Sequence, residues 1–271
     1  MPSIGLALSG GAARGIAHVG VLKAFKESQI PIDYIAGTSA GSIVGAAFAA
    51  GMSVEEIEKL SRELRWRKIG SMTMSRLGIQ SNQRLEDYVR ARLPLTRFEQ
   101  LLIPFAAVAT DLRTGTAVVM KDEGDIPFAL RASCCIPGLY VPVIDSEGRQ
   151  LVDGGLVAVI PSTVVRTLGA DIVVAVDVNS EGATFMASWS SNSVIGVIMQ
   201  SMMVVQKTAS HNQLKSADFV VKPKVGHIRW DEMGRAEELL EEGYKAGRDS
   251  IAAIQNLINE TLKSEPANIS F

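Results

Sequence analysis

The sequence predicts an α/β fold of three layers, in which a central and mostly parallel β-sheet lies between two layers of helices. Short apolar segments that end in glycine or other turn residues alternate with segments of helical periodicity from the start of the chain. Residues 172–178 are almost continuously apolar and rich in β-branched side chains, which is typical of a strand covered on both faces. Such alternation favours a parallel sheet with helices on both sides.

The first elements follow this pattern. Residues 4–8 form an apolar run that stops at Ser9-Gly10-Gly11, which predicts a buried strand ended by a glycine turn. Residues 16–28 carry apolar side chains at helical spacing and predict a helix. A second strand is expected at residues 34–36, and a helix of small residues at 42–50.

Later elements carry their own signals. Ser53 is followed three residues on by Glu56, a capping box that predicts the start of a third helix. Residues 105–109 and 116–120 are predicted strands. The segment 194–205 is apolar on nearly all sides, so we expect it to be buried or in contact with another surface.

The length of 271 residues allows one or two domains, and we expect a single domain over residues 1–271. Its chemistry-bearing motifs lie within residues 4–180, and a strand and helices at 190–265 complete it. The Ser/Asn/Gly-rich stretch at 179–192 is interpreted as a loop or lid rather than as a linker between domains.

Composition excludes several classes of protein. A hydrophobic content of 47% excludes disorder of the whole chain, and a net charge of −2 lacks the basic excess of nucleic-acid binders, so we expect no nucleic-acid partner.

The two cysteines, Cys134 and Cys135, are adjacent and cannot link distant segments, which favours a reducing compartment. Charge-free segments at 34–54 and 182–206 are interrupted by glycine and polar residues, and the N-terminus lacks the features of a signal peptide. We therefore expect a cytoplasmic protein without a transmembrane helix, for which peripheral contact with a membrane stays open.

A candidate nucleophile lies in Gly37-Thr38-Ser39-Ala40-Gly41, which fits the pattern G-x-S-x-G between a predicted strand and a predicted helix. Small neighbours let the strand and the helix pass closely, and the turn between them points the serine hydroxyl out of the sheet. The alternative is a turn of small residues with a capping serine.

A loop of small residues, Gly10-Gly11-Ala12-Ala13-Arg14-Gly15, connects the first strand to the first helix and offers backbone N–H groups to an anion. A phosphate-binding Walker loop is excluded because Gly-Lys-Ser/Thr is absent. A dinucleotide fingerprint fails at Ala12. An oxyanion hole needs a nucleophile at the end of a neighbouring strand, which Ser39 supplies.

The serine also needs a base. His18, His211 and His227 are the histidines of the chain, and an ordinary surface or structural role is the better interpretation of each. A second candidate is Asp153, which ends a short strand before Gly154 and Gly155, although a plain Asp-Gly-Gly turn is the better interpretation of that motif taken alone.

In combination these motifs resemble those of one family, the patatin-like phospholipases. The shared motifs are Ser-Gly-Gly-Ala-Ala-Arg-Gly at 9–15, Gly-Thr-Ser-Ala-Gly at 37–41 and Asp-Gly-Gly at 153–155. The segments 109–115 and 131–138 extend the resemblance, which covers roughly residues 4–180. Three motifs in this order are far more specific than any one of them.

The resemblance implies a patatin-like fold and a catalytic dyad of Ser39 as nucleophile and Asp153 as base, with no catalytic histidine. The residues that match the oxyanion-hole loop are Gly10, Gly11, Ala12, Ala13, Arg14 and Gly15, with Arg14 at the basic position of the motif. Gly37, Thr38, Ala40 and Gly41 match the nucleophile elbow, and Gly154 and Gly155 the turn after the acid. No metal and no cofactor is expected. Ala12 stands where the family motif has a third glycine, and we expect the hole to survive if Ala12 keeps a negative φ.

The activity so implied is hydrolysis of carboxylic esters of lipids, phospholipid or lysophospholipid, through an acyl-enzyme. Alternatives are an acyltransferase and a non-catalytic regulator or adaptor on the same scaffold.

The methionine-rich residues 198–203 are compatible with an acyl groove, and equally with a packed core or a dimer helix. Arg62, Arg65, Arg67 and Lys68 around Trp66 are compatible with an anionic membrane surface or with a solvated helix end. A homo-oligomer is compatible with the sequence but not indicated by it.

Overall fold

A sheet of eight strands organises the part of the chain that this computed structural model describes, residues 1–180 and 194–264. The strands are β1 (Ile4–Leu8), β2 (Tyr34–Thr38), β3 (Ser71–Met72), β4 (Gln80–Ser81), β5 (Phe105–Asp111), β6 (Thr116–Met120), β7 (Val143–Ile144), β8 (Gln150–Asp153), β9 (Ile172–Val176) and β10 (Phe219–Val221). The helices are α1 (Ala17–Glu27), α2 (Ala40–Ala49), α3 (Val54–Glu63), α4 (Trp66–Ile69), α5 (Gln83–Arg90), α6 (Ile126–Ser133), α7 (Ser162–Leu168), α8 (Val194–Gln213) and α9 (Ala236–Ser264). Strands β3 and β4 form a separate hairpin.

The sheet is mostly parallel, as predicted. Strands β10, β9, β1, β2 and β5 are parallel neighbours in that order. Strands β6 and β8 pair with β5 in the antiparallel direction, and β7 pairs with β8 in the same way. The antiparallel strands therefore cluster at one side of a parallel core.

Strand β5 brings two distant parts of the chain end to end. One of its edges pairs with β6 along residues 107–111. The other edge pairs first with β2, as far as Thr38 opposite Val108, and then with β8, which begins its pairing with Asp153 opposite Ala109. Because β8 runs antiparallel to β5, the carboxyl ends of β2 and β8 meet at adjacent positions on one edge. The register alone thus places the residue after Thr38 beside Asp153.

Side chains of the parallel strands alternate between two buried faces. On β1, Ile4, Leu6 and Leu8 join the larger core, which includes residues of α1, α2 and α9. Ala7 joins the smaller core on the opposite face, where α7 packs. A Cβ on Gly5 would lie 2.1 Å from Val165 Cγ1, so this face admits α7 at close range only because small residues line it. The three predicted layers are present.

Helices α1 and α9 cross in backbone contact. A Cβ on Gly20 would lie 2.1 Å from the carbonyl oxygen of Leu240, and one on Gly243 would lie 1.9 Å from that of Ala17. Both glycines are needed for this approach. The long C-terminal helix is therefore part of the same core as the first βα unit.

The start of α3 confirms the predicted capping box. The Ser53 hydroxyl accepts a hydrogen bond from the Glu56 N–H at 3.2 Å, and the Glu56 carboxylate accepts one from the Ser53 N–H at 2.8 Å. The two side chains satisfy donors that a helix N-terminus otherwise leaves unpaired.

Of the two outcomes expected for the apolar segment 194–205, burial holds only in part. Met202 is buried, but Val197, Val204 and Val205 are exposed. Among the described residues of α8, Met202 and Gln206 line the cavity that contains Ser39. The predicted loop or lid at 179–192 lies mostly outside the described residues. Within residues 1–180 and 194–264, no helix combines the length and the apolar composition needed to cross a bilayer.

Candidate active site

Ser39 occupies a strained turn between β2 and α2. Its φ and ψ of 52° and −125° lie in a region that residues with a side chain rarely adopt. The Ser39 N–H donates to the Ser133 hydroxyl at 2.8 Å, and the Ser39 carbonyl accepts from the N–H of Ser42 at 2.9 Å. These contacts fix the turn, and the side chain is only 7% exposed.

Two glycines of the motif permit the turn. A Cβ on Gly37 would lie 2.5 Å from the carbonyl oxygen of Gly41, and a Cβ on Gly41 would lie 2.3 Å from that of Leu8. Thr38 turns its hydroxyl to the Ala158 carbonyl at 2.6 Å. Strand and helix pass as closely as the sequence motif predicts.

Ser133, at the end of α6, holds the backbone of Ser39 in place through a hydrogen bond. Its buried hydroxyl accepts from the Ser39 N–H and donates to the Val108 carbonyl at 2.6 Å. Sequence reasoning missed this role, since the partners are 94 residues apart and the only signal was the position of Ser133 in the segment 131–138.

Asp153 ends β8 and is 3% exposed. Its N–H donates to the Cys135 carbonyl at 2.8 Å, and its carbonyl accepts from the Thr110 hydroxyl at 2.9 Å. One carboxylate oxygen accepts from the Gly155 N–H at 2.8 Å. A Cβ on Gly154 would lie 2.2 Å from the Val108 carbonyl oxygen, so the turn after the acid needs a glycine at this position.

Burial raises the pKa of Asp153 to about 6, because an ionised carboxylate loses solvation in the interior. Hydrogen bonds from the Ser39 side chain and the Gly155 N–H oppose this change. Asp153 is therefore a stronger base than an exposed carboxylate, and it interacts with the candidate nucleophile.

The loop 10–15 offers fewer free donors than its sequence suggests. The N–H groups of Gly10, Ala13 and Arg14 donate to the carbonyls of Val159, Trp230 and Gly11 at 2.9, 2.9 and 3.0 Å. The N–H groups of Gly11 and Ala12 have no acceptor in the described part of the chain, and both residues line the cavity that contains Ser39. These two are the candidate oxyanion donors. Gly15 serves packing, since a Cβ there would lie 2.4 Å from Ala40 Cβ.

Ala12 does not have the negative φ under which we expected the oxyanion hole to survive. Its φ is 49°, in the left-handed region that glycine adopts without cost. For alanine this conformation costs roughly 1–2 kcal/mol. The turn therefore has a backbone shape that a glycine would adopt freely, and Ala12 lines the cavity that contains Ser39.

The side chain of Arg14 is buried and forms a support for the loop. Its Nε donates to the Ile228 carbonyl at 2.6 Å, and its Nη2 donates to the Gly226 carbonyl at 3.2 Å. Asn179 adds a hydrogen bond to the Gly10 carbonyl at 2.7 Å. Arg14 thus ties the loop to the C-terminal third of the chain.

Ser39 and Asp153 line one cavity, which has about 500 Å³ of empty space including its open mouth. Sequence reasoning missed three polar or aromatic residues of its wall. The three are Asn179, Gln206 and Trp230. Met202 and Met203 of α8 also line this cavity, so part of the methionine-rich segment reaches the candidate site.

The histidines lie elsewhere. His18 is buried, its Nε2 donates to the Ser9 carbonyl at 2.8 Å, and burial lowers its pKa to about 4. His227 is exposed and pairs with Glu238 at 2.7 Å, and His211 is exposed on α8. None of the three lines the cavity of Ser39. Asp153 is therefore the base candidate that the geometry supports.

Two other kinds of chemistry find no support in the described residues. Cys134 and Cys135 are buried free thiols, and burial raises the pKa of the Cys135 thiol to about 12. No group of three or more histidine, cysteine or acidic side chains within residues 1–180 and 194–264 is placed to hold a metal ion.

Comparisons with known proteins agree with the motifs. A family model described as patatin-like phospholipase matches residues 6–165. An uncharacterized NTE family protein of Mycobacterium bovis is 38% identical over 185 residues, which make up 67% of this chain and 51% of that protein. The chain spans about half the length of this relative. Patatin-like phospholipase domain-containing protein 6 of Homo sapiens is 31% identical over 199 residues, 70% of this chain and 14% of that protein.

A solved structure shares the fold. VipD from Legionella pneumophila superimposes with a TM-score of 0.55 at 14% identity, over 93% of this chain and 67% of VipD. At this identity the likeness concerns the architecture of sheet and helices alone.

Proposed function

The chain belongs to the patatin-like phospholipase family, and on that premise we propose that it is a serine acyl hydrolase that cleaves carboxylic esters of lipids. The substrate class is phospholipid or lysophospholipid, and the reaction runs through Ser39 and Asp153. One observation carries the proposal. Strands β2 and β8 end side by side on one edge of β5, so that a strained serine and a buried carboxylate share a cavity with two N–H groups that have no acceptor among the described residues.

In the first half of the reaction, Asp153 accepts the proton of the Ser39 hydroxyl as the serine oxygen attacks the ester carbonyl carbon. The carbonyl oxygen becomes an oxyanion and accepts hydrogen bonds from Gly11 and Ala12, where each donor contributes roughly 10²–10³ in kcat. The intermediate collapses, the bond to the alcohol breaks, and Asp153 returns the proton to the departing alcohol. The product on the protein is an ester of Ser39.

In the second half, Asp153 accepts a proton from water, whose oxygen attacks the acyl carbon. The same N–H groups bind the oxyanion, and Ser39 leaves with the proton that Asp153 supplies. The carboxylic acid is released. Because the pKa of Asp153 is about 6, the carboxylate is ionised at neutral pH and still basic enough to share a proton.

A fluorophosphonate probe, which reacts with activated serines, tests the nucleophile. We expect the native protein to be labelled, Ser39→Ala to be unlabelled, and Asp153→Asn to react far more slowly. Ser250→Ala, which removes another buried serine hydroxyl on α9, is the matched control and should label like the native protein. Equal labelling of Ser39→Ala and the native protein would contradict the proposal.

Product analysis separates hydrolysis from the alternatives. With a phospholipid substrate and added glycerol or lysolipid, a hydrolase releases free fatty acid, whereas an acyltransferase forms a new ester. A protein that neither labels nor releases acid, but binds a stable protein partner, would be a regulator on this scaffold.

We also propose peripheral contact with a lipid surface through the β3–β4 hairpin. The hairpin exposes Met72 at the end of β3 and Met74 and Leu77 in the loop, with Arg76 beside Leu77. The hairpin is joined to the wall of the site, since Gln80 exchanges backbone hydrogen bonds of 2.9 Å with the segment 139–141 that follows the cavity residue Ile136. Apolar side chains beside a cation suit the interface of an anionic bilayer.

The basic cluster around Trp66 contributes less to such a contact than its sequence suggests. The Trp66 indole donates to the Asp231 carbonyl at 2.9 Å and packs edge-on against Trp230, while Arg62 pairs with Glu237. Sedimentation with vesicles of anionic lipid tests the hairpin. We expect Met74→Glu to weaken binding and to leave hydrolysis of soluble p-nitrophenyl butyrate unchanged. Unchanged sedimentation of that variant would refute the contact.

A further inference from the structure

A second cavity, distinct from the one that contains Ser39, lies between α2, α3 and α5. It has about 780 Å³ of empty space, part of it open to solvent. Its walls are aliphatic. They include Ile43, Val44 and Ala47 of α2, Ile57 and Leu60 of α3, and Leu85 of α5. We propose that this cavity binds the acyl chain of the ester substrate, an inference that rests on the function proposed above.

The two cavities share a wall residue beside the nucleophile. Ala12 lines both of them, and Ala40, the residue after Ser39, lines the aliphatic cavity. An ester whose carbonyl oxygen accepts hydrogen bonds from the N–H groups of Gly11 and Ala12 has its acyl carbon close to Ala12. The chain that follows this carbon passes Ala12 into the aliphatic cavity.

The few polar groups of the aliphatic cavity are not arranged to bind a charge. The Ser61 hydroxyl donates to the Ile57 carbonyl of its own helix at 2.8 Å. Arg92 stacks on the Tyr88 ring at 3.7 Å and donates to the Tyr88 carbonyl at 3.2 Å. The Tyr88 hydroxyl is buried and has no acceptor in the described residues. A hydrocarbon is the ligand chemistry that such walls favour.

The polar part of the substrate has a different place. Asn179, Met203 and Gln206 line both the cavity of Ser39 and a third cavity, where Lys207 and Ser210 are also found. This polar wall suits the alcohol half of the ester. The methionines of α8 lie on that side, so the aliphatic cavity, rather than the methionine-rich segment, is assigned to the acyl chain.

Filling the cavity tests the assignment. Leu60→Trp places a larger ring in the wall, and Lys59→Trp puts the same ring on the exposed side of the same helix as a matched control. We expect Leu60→Trp to lower kcat/KM for p-nitrophenyl palmitate by more than about tenfold, since each excluded methylene forfeits transfer free energy. The ratio of kcat/KM for p-nitrophenyl palmitate to that for p-nitrophenyl butyrate should fall by more than about tenfold, because the longer chain needs more of the cavity. Lys59→Trp should behave as the native protein with both esters.

Equal losses with butyrate and palmitate, or no loss with either in a folded Leu60→Trp protein, would overturn the assignment. Ile43→Trp and Leu60→Phe repeat the test if Leu60→Trp does not fold, as judged by thermal unfolding.

A binding assay separates this inference from the proposed function. Ser39→Ala, which has no nucleophile, should still bind a fluorescent long-chain fatty acid, and adding Leu60→Trp should weaken that binding by more than about tenfold. Unchanged binding in the double variant refutes the acyl site whether or not the protein hydrolyses esters.

Discussion

Asp153→Asn should change the pH dependence of stability in a direction set by burial of the carboxyl. The pKa of Asp153 is raised from 3.8 to about 6 in the folded protein. Between these values the folded state binds more protons than the unfolded state, so the carboxyl lowers stability as pH rises, until its ionisation in the folded state is nearly complete at about pH 7. Asparagine keeps the shape and an oxygen that accepts from Gly155, but it does not titrate.

The size of the effect follows from the two pKa values. Ionisation of Asp153 costs about 2 kcal/mol of unfolding free energy at pH 5 and about 3 kcal/mol at pH 8. Stability of Asp153→Asn relative to the native protein should therefore improve by about 1 kcal/mol between these two conditions. Any pH-independent effect of the substitution cancels in this comparison.

Urea unfolding followed by tryptophan fluorescence at pH 5, 6, 7 and 8 measures the difference. Asp249→Asn, which removes an exposed carboxylate of α9, is the control and should run parallel to the native protein. If Asp153→Asn also runs parallel to the native protein, the carboxyl does not have a raised pKa and its description as a buried base is wrong. A loss of kcat/KM of the native protein below about pH 6 is the matching kinetic expectation.

Three further substitutions test the supports of the site and the core. Ser133→Ala removes the acceptor of the Ser39 N–H, so it should lower the unfolding free energy by about 1–3 kcal/mol and also lower kcat. Urea unfolding and p-nitrophenyl butyrate hydrolysis measure the two effects. An unchanged kcat would show that this hydrogen bond does not position the nucleophile. Ala12→Gly removes the strain of a positive φ on an alanine and should keep activity. The free energy of unfolding should stay within about 1 kcal/mol of that of the native protein. Loss of activity would mean that the methyl group of Ala12 is itself needed. Gly20→Ala forces a Cβ to 2.1 Å from the Leu240 carbonyl oxygen. The substitution should lower the free energy of unfolding by more than about 3 kcal/mol, measured by thermal or urea unfolding. A variant as stable as the native protein would contradict the close crossing of α1 and α9.

Sequence predicted those parts of the site that depend on local geometry. The turn at Ser39 needs small residues on both sides, and such a requirement is visible in five consecutive letters. The pattern of the parallel strands was equally local, because a strand covered on both faces is apolar throughout. The family resemblance then paired Ser39 with Asp153, a pairing that neither motif contains alone.

Contacts between distant segments were not predictable in this way. Ser133, Gln206 and Trp230 reach the site through the packing of α6, α8 and the loop before α9, and their local sequences carry no signal of it. The free donors of the loop 10–15 were overestimated for the same reason, since the acceptors of Gly10 and Ala13 come from residues 159 and 230. The exposed residues of α8 escaped prediction because a long apolar run does not reveal how many of its sides find a partner.

The buried guanidinium of Arg14 and the bond from Ala13 to Trp230 have a consequence for modular use of the fold. The segment 6–165 holds both Ser39 and Asp153, yet the loop 10–15 is braced by carbonyls at 226, 228 and 230. A fragment that ends at residue 165 would lack these carbonyls, so the Arg14 guanidinium and the Ala13 N–H would lose their acceptors. A chimaera therefore needs more of this chain than residues 6–165. The transferred segment has to extend through the final helix, α9, for the loop 10–15 to keep its shape.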